Sequence, residues 1–534
     1  MHRRTVLLTV ASLIPLTLAA GVSTASATST ASATSTASAT SGARPTSDRL
    51  TRADQATLRR YAADTWRSFV AMTDDATGLP ADNMTGPVTA PVRSGYTSPT
   101  NIGGYLWSTV VARDTGVISH REALRRLSTT LRTLQHMDRH PASGMFYNWY
   151  DEHTAAKLTV WPTSGDPITP FLSSVDNGWL AAALMVVSGA EPQLRRQAQD
   201  LLRPMDFGFF YNPAPARDGV SAGFIRGGFW DTAPTGCAVV DNYRDRGPDV
   251  WYTCNSYDTT VTEARIALYL GIARGEIPPQ AYYATWRTFP STCDWSWQEQ
   301  QPVGTTRTYL GVPVYEGAYR YRGMRLVPSW GGDMFESLMP DLFVPESAWG
   351  KRSWAVNHPL TVRAQIEHGL DDAKYGYWGF SPSSTPGGGY REYGVDAIGM
   401  NSDGYYSDAE KTAVDGGFGD CRPATAPAPT FGDGVVTPHA SFLALPYAPR
   451  AAMDNLARLK QNLGAYGDGG FYDAVAVRSG TVARTYLSLD QAMVMGAIGN
   501  VLEGSLHQAF VTPDVERRLR PLLAREVFSA GVDR

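Results

Sequence analysis

Beyond its first 20 residues the chain has no long uncharged apolar run, so no later segment reads as a membrane span. Basic charge is not in excess either: 47 Lys and Arg face 51 Asp and Glu, a formal net charge of −4. Nucleic acid and anionic membrane surfaces are therefore not expected as partners. Cysteine is sparse, four in 534 residues, and no Cys/His spacing matches a zinc site. No G-x-S-x-G elbow is present, which sets aside serine-esterase chemistry. A Walker phosphate loop and a dinucleotide fingerprint are also missing; GGGYREYG at 387–394 is glycine-rich, but its spacing is wrong and it lies in a loop. No cofactor and no metal is expected.

The start of the chain reads as an export signal. His2, Arg3 and Arg4 precede an apolar run from Val6 to Ala20, and Ala25-Ser26-Ala27 offers a small-residue cleavage site. Residues 1–27 are thus read as a signal peptide, of the general secretory or the twin-arginine type. The Thr/Ala/Ser repeat of 28–47 has no large apolar residue and cannot build a core. Residues 48–534 are read as one domain, secreted and monomeric. An even cysteine count in an exported chain favours disulfides. Of the three connectivities, Cys237–Cys254 with Cys293–Cys421 is preferred, because the first pair would staple one irregular insertion.

The helical stretches alternate in character. Those near 98–115, 174–188, 255–274, 331–340, 437–447 and 488–503 are apolar nearly all round. Those near 119–138, 191–204, 278–289, 357–373, 449–463 and 513–526 are amphipathic. A helix that is apolar on every side must be buried on every side, and an amphipathic one covers it. The expected fold is all-α: an (α/α)6 toroid with long aromatic and Gly-rich loops, short β-hairpins being allowed within them. The helix at 52–73 would close the outer ring. Ser119 with Glu122 reads as a capping box, and Pro449 and Pro513 sit where helices begin.

The inner helices of such a ring gather their N-terminal ends at one mouth. Asn101, Asp176, Tyr257, Asp258, Trp330, Asp333, Thr437, His439 and Asp490 fall there. Loops at 205–260, 290–330 and 375–406 are aromatic and glycine-rich; the last carries Trp378, Tyr390, Glu392, Tyr393 and Asp396. Loops of this length are usually functional or hold short strands, and these are expected to wall a cleft.

Within this frame WGGDMFESLMP at 330–340 sets an acid among aromatics. A pyranose presents an apolar C–H face to aromatic rings, and its glycosidic oxygen needs a proton donor. Glycoside hydrolysis takes two carboxyl groups, one of them with a pKa raised by burial or a neighbouring charge. Glu336, between Phe335 and Leu338 and one turn after Asp333, is the expected acid. Asp490 is favoured as the second carboxylate over Asp176, Glu392 and Asp396. Asp176, Trp330, Asp333, Trp378, Tyr390, Glu392, Asp396 and His439 are the expected substrate contacts.

An ordered set of segments carries a family resemblance: SPTNIGGYL at 98–106, GMFYNWYD at 144–151, SSVDNGWLAAAL at 173–184, SYDTTVTEARIALYLGIARGEIP at 256–278, VPSWGGDMFESLMP at 327–340, YGYWGFSPS at 375–383, YGVDAIG at 393–399, VVTPHASFLALPYAP at 435–449 and GGFYDAV at 469–475. The chain resembles the bacterial glycoamylase-like proteins, which are similar in turn to endo-β-1,2-glucanases and to the cyclisation region of cyclic β-1,2-glucan synthases. The resemblance implies an (α/α)6 fold and hydrolysis of a glucan, of the β-linked kind, with the acid at Glu336 and Asp176 in the substrate cleft. Where synthase-type relatives carry a Glu in a WG-x-S-E-S block, this chain has Pro382, so that role is absent or moved to Glu392. Two other classes stay open. A polysaccharide lyase would use Tyr390 with Arg391, or His439. A non-catalytic sugar-binding protein would use the aromatics as a platform.

Overall fold

The computed structural model describes residues 49–214, 222–242, 248–289, 300–400 and 431–533. The first helix, α1 (Arg52–Met72), starts at a complete capping box in which the Thr51 side chain accepts from the Asp54 N–H and the Asp54 carboxylate takes the Thr51 N–H. There follow α2 (Pro99–Asp114), α3 (His120–His136), α4 (Ser174–Ala190), α5 (Arg195–Leu202), α6 (Arg265–Arg274) and α7 (Ala281–Ala284). The rest are α8 (Met334–Leu338), α9 (Glu346–Trp349), α10 (Trp354–Glu367), α11 (Pro438–Leu443), α12 (Pro449–Leu463), α13 (Ser488–Glu503), α14 (Ser505–Phe510) and α15 (Pro513–Arg525). No helix among the described residues is long and apolar enough to cross a membrane.

Buried helices pack on buried helices: α2 against α4 and α13, α4 against α6, and α11 against α8 and α13. Each has an outer partner, α3 on α2, α5 on α4, α15 on α6, α10 on α8, α12 on α11 and α1 on α13. Small residues let the inner helices approach. A Cβ on Gly103 would lie 3.0 Å from the Trp179 carbonyl oxygen, and one on Gly104 would lie 2.8 Å from Ala492 Cβ. Thus α2 is clasped between α4 and α13, and Trp107 Nε1 donates to the Ala492 carbonyl at 2.9 Å.

Several sequence expectations need correction. The chain is not all-α. Phe171–Ser173, Gly228–Trp230, Val250–Thr253 and Ala238–Asp241 form a four-stranded sheet, and Val303–Tyr309 pairs with Val312–Tyr321. At 312–321 the inward residues begin with a period of two, Val312 and then Val314, which is a strand rather than a loop signal. The helix expected at 255–274 starts only at Arg265, because Ser256–Tyr257 is a strand and the β-branched run Thr259, Thr260, Val261, Thr262 precedes it. The one at 331–340 shrinks to five residues, since Gly331 and Gly332 have positive φ before it and Pro340 follows. The Ser119 box is half made: its hydroxyl accepts from Glu122 N–H, but the Glu122 carboxylate turns to Arg125 and Arg126. Pro449 and Pro513 do open their helices.

Cys237 and Cys254 are disulfide-bonded across a Cα separation of 5.8 Å. Cys293, Cys421, Trp295 and Trp297 lie outside the described residues. The bridge closes a loop of 17 residues, worth up to about 3 kcal/mol of local stability by loop-closure entropy. Reduction should speed amide exchange in the paired strands at Val239 and Tyr252, measured by hydrogen exchange, while α2, α4 and α13 keep their protection.

Candidate active site

The N-terminal ends of the inner helices and the sheet-bearing loops surround a cleft of about 1190 Å³. Asp82, Asp176, Asp258, Glu263, Glu336 and Glu392 all line it, with Tyr96, Trp149, Trp330 and Tyr390 among the aromatics.

Glu336 sits in the first turn of α8. Asp333 caps that helix, its Oδ1 accepting the Glu336 N–H at 2.8 Å. The Phe335 N–H donates to Ser381 Oγ at 3.2 Å, and the Trp330 N–H to the Val261 carbonyl at 3.0 Å. The short helix is thereby tied both to the 380s loop and to the turn before α6. From that turn the Glu263 N–H donates to Glu336 Oε2, and Trp179 Nε1 donates to Glu263 Oε2 at 2.7 Å. Both residues line the same cleft, and the Glu336 charge is felt at the Glu263 carboxyl group.

Their electrostatics follow from that placement. Burial pushes Glu336 up to about 7, opposed by the Glu263 N–H and reinforced by the Glu392 charge. Burial, then the Glu336 charge, raises Glu263 well above the carboxylate range. Burial raises Glu392 to about 7. Also on the cleft, Asp176 in the first turn of α4 accepts from Thr100 Oγ1 at 2.7 Å, and Asp82 accepts from Asn101 Nδ2 at 2.8 Å. Burial, reinforced by the smaller effect of the Asp176 charge, raises Asp82.

Of the residues expected from sequence, the cleft brings together Glu336, Asp176, Trp330, Tyr390 and Glu392. Asp333, Asp490, His439, Trp378 and Asp396 do not line it. Asp333 is spent on its own helix cap. Trp378 is 1% exposed and belongs to the core. Asp396 opens a 3-10 turn, Asp396–Ile398. Asp490 is turned behind the wall, where its Oδ2 meets His439 Nδ1 at 2.7 Å, and Thr437 Oγ1 lies 2.8 Å from the same nitrogen. Burial raises Asp490 to about 7 and lowers His439 to about 4. With His439 and Arg391 off the cleft, the lyase reading keeps only Tyr390.

Glu263, Asp82 and Asp473 were missed. Asp473 lies with His439 and Asp490, their polar atoms within 4.8 Å of one another, and it accepts the Ser384 N–H at 2.7 Å. Glu263 had a signal, an acid just ahead of an apolar helix, which the misplaced helix start hid. The loop that delivers Tyr390 and Glu392 is fixed by contact between backbones: a Cβ on Gly394 would stand 1.7 Å from the Gly331 carbonyl oxygen.

Residues 255–513 match the Glycoamylase family model, described as "Putative glucoamylase", and residues 60–208 match DUF3131, a protein of unknown function. The cyclic β-(1,2)-glucan synthase NdvB of Rhizobium meliloti (strain 1021) is 26% identical over 85% of this chain. The chain spans only 18% of that relative's length. Among solved structures, an endo-β-1,2-glucanase from Chitinophaga pinensis, in complex with sophorotriose and glucose, superposes with a TM-score of 0.60 at 16% identity, covering 88% of this chain and 98% of that one. The endo-β-1,2-glucanase of Talaromyces funiculosus, in complex with sophorose, gives 0.59 at 13% identity over 90% and 93%. A glucoamylase-like structure from Bacteroides uniformis ATCC 8492 gives 0.59 at 17% over 89% and 98%. At these identities the structural likeness is one of fold.

Proposed function

For this glycoamylase-like chain we propose a secreted glycoside hydrolase that cleaves a β-linked glucan, of the β-1,2 type, on a single (α/α)6 toroidal domain. The adjacency of Glu336 and Glu263 on the cleft wall is the observation that carries the reading. Two carboxyl groups this close do not both ionise readily near neutrality, so the pair holds a proton that it can give to a glycosidic oxygen. Glu336 is the acid, its proton held by burial and by the Glu392 charge, and Glu263 is the neighbour that burial and the Glu336 charge keep protonated. The glucan relatives supply the substrate class, and the export-like start of the sequence supplies the location.

The second carboxylate has to reach the other face of the sugar. Asp490 is given up for this role because it lies behind the wall. Asp176 and Glu392 take its place as candidates, both being on the cleft. Azide should restore turnover to whichever of Asp176→Ala and Glu392→Ala has lost the water-activating group.

Purified protein incubated with β-1,2-, β-1,3- and α-1,4-glucans and with arabinans should release oligosaccharides from the β-1,2-glucan. Cleavage of none of these polymers would overturn the assignment. The pH dependence has a definite sign. Glu336 acts protonated, so kcat/KM should fall as pH rises through about 7, by about tenfold per unit. The same group costs stability in that range. The unfolded chain releases its proton near 4.5 and the folded one near 7, so this contribution to Tm declines as pH rises between those values.

A further inference from the structure

One wall of the cleft carries an aromatic cluster that the acid–base chemistry does not use. Tyr96 and Trp149 line the cleft; Trp161 is not in the lining but packs on both. The ring centres of Tyr96 and Trp149 are 5.2 Å apart, those of Tyr96 and Trp161 5.3 Å, and those of the two indoles 5.5 Å. Tyr96 is buried at 3% exposure, whereas both indoles remain partly exposed. The cluster therefore runs from inside the cleft outward, with Tyr96 as its fixed hub.

The backbone holds it in place. The N–H of Thr97 donates to the Tyr150 carbonyl at 2.8 Å, and that of Tyr150 returns to Thr97 at 3.0 Å. A tight turn starts at Trp161, whose carbonyl accepts from Gly165 N–H at 2.9 Å and whose N–H donates to Asp166 at 2.8 Å. Lys157, the cation on this segment, places its Nζ 4.0 Å from the centre of the Tyr147 ring. What the platform offers is apolar indole surface on a rigid frame, at little cost in side-chain ordering. Such a surface fits the C–H face of an uncharged pyranose.

We propose that Trp149 and Trp161 form an outer subsite that stacks sugar rings of a glucan chain where it leaves the cleft, so that productive binding depends on chain length. The proposal rests on the glucan-hydrolase reading above.

The test compares the unmodified protein with Trp161→Ala and Trp161→Phe on long β-1,2-glucan and on a β-1,2-linked trisaccharide. Trp161→Ala should raise KM for the polymer by about tenfold at unchanged kcat and leave both constants for the trisaccharide unaltered. Trp161→Phe should recover most of the difference. Equal losses on both substrates, or none on either, would overturn the subsite. Should the unmodified protein cleave no glucan, the hydrolase reading fails first. Retardation in gels containing β-1,2-glucan then decides the subsite alone: retardation that Trp161→Ala abolishes supports it, and absent or unaltered retardation rejects it.

Discussion

Glu336→Gln and Glu263→Gln should each lower glucan turnover by about 10²–10⁴-fold, the range of a positioned proton donor, with the near-ultraviolet circular dichroism unchanged. Both substitutions conserve shape. At Glu336 the amide oxygen can still accept the Glu263 N–H, and at Glu263 it can still accept from Trp179 Nε1. What is lost in each case is a carboxyl group that can carry a proton. On a substrate with an activated phenolic leaving group, which needs no protonation, both variants should lose little activity. They separate in the pH–rate profile on the natural polymer: loss of the direct donor removes the falling limb, and loss of a partner that acts through the donor's pKa shifts it. Full activity of Glu336→Gln on the natural polymer would end the acid assignment.

The second large effect is expected from a residue that never meets the sugar. Arg265 is 3% exposed and Glu346 0%. The guanidinium donates to Glu346 Oε1 at 2.7 Å and Oε2 at 3.0 Å, and also to the carbonyls of Thr262 at 2.6 Å, Glu336 at 2.7 Å and Ser337 at 2.7 Å. It thus clamps α8 to the turn before α6, which is what brings Glu336 to Glu263. Tyr269 and His358 complete the Glu346 side. Burial alone would raise Glu346, but the Arg265 charge and the hydrogen bonds from Arg265 and His358 hold it at about 2. Glu346→Gln leaves a buried cation without its counter-ion and should cost about 3–5 kcal/mol in urea denaturation. The released positive charge should also favour ionised Glu336, moving the falling limb of the pH–rate profile to lower pH. In the unaltered protein the depressed Glu346 gives stability above about 4.5 that disappears as pH falls towards 2.

The layers were legible in the sequence because all-round apolar runs and amphipathic runs differ over many residues. The bounds read for 449–463 and 488–503 are those of α12 and α13. Short elements were not legible. Five residues of helix at Met334–Leu338 carry too little periodicity to fix their ends. Side-chain direction at a helix start was not legible either. The sequence set Asp333 one turn before Glu336 without fixing which way it faces; it occupies the cap position and folds back on its own helix. Asp490 does sit in the first turn of α13, but its carboxyl group meets His439, 51 residues away, and does not line the cleft. The contact of Glu263 with Glu336 joins residues 73 apart and depends on the whole ring, so no local pattern announces it.

The seam between α2 and α13 has a consequence for how the molecule comes into being. Trp107 and Ala492 meet across 385 residues, and strand Asn83–Thr85 pairs with Thr485–Leu487 beside them. A nascent chain emerging from the ribosome cannot seal this seam until residues near 490 arrive. Contacts so remote in sequence make for slow maturation. Arrested or truncated products should therefore be catalytically silent and exposed to proteolysis, however well their early helices form.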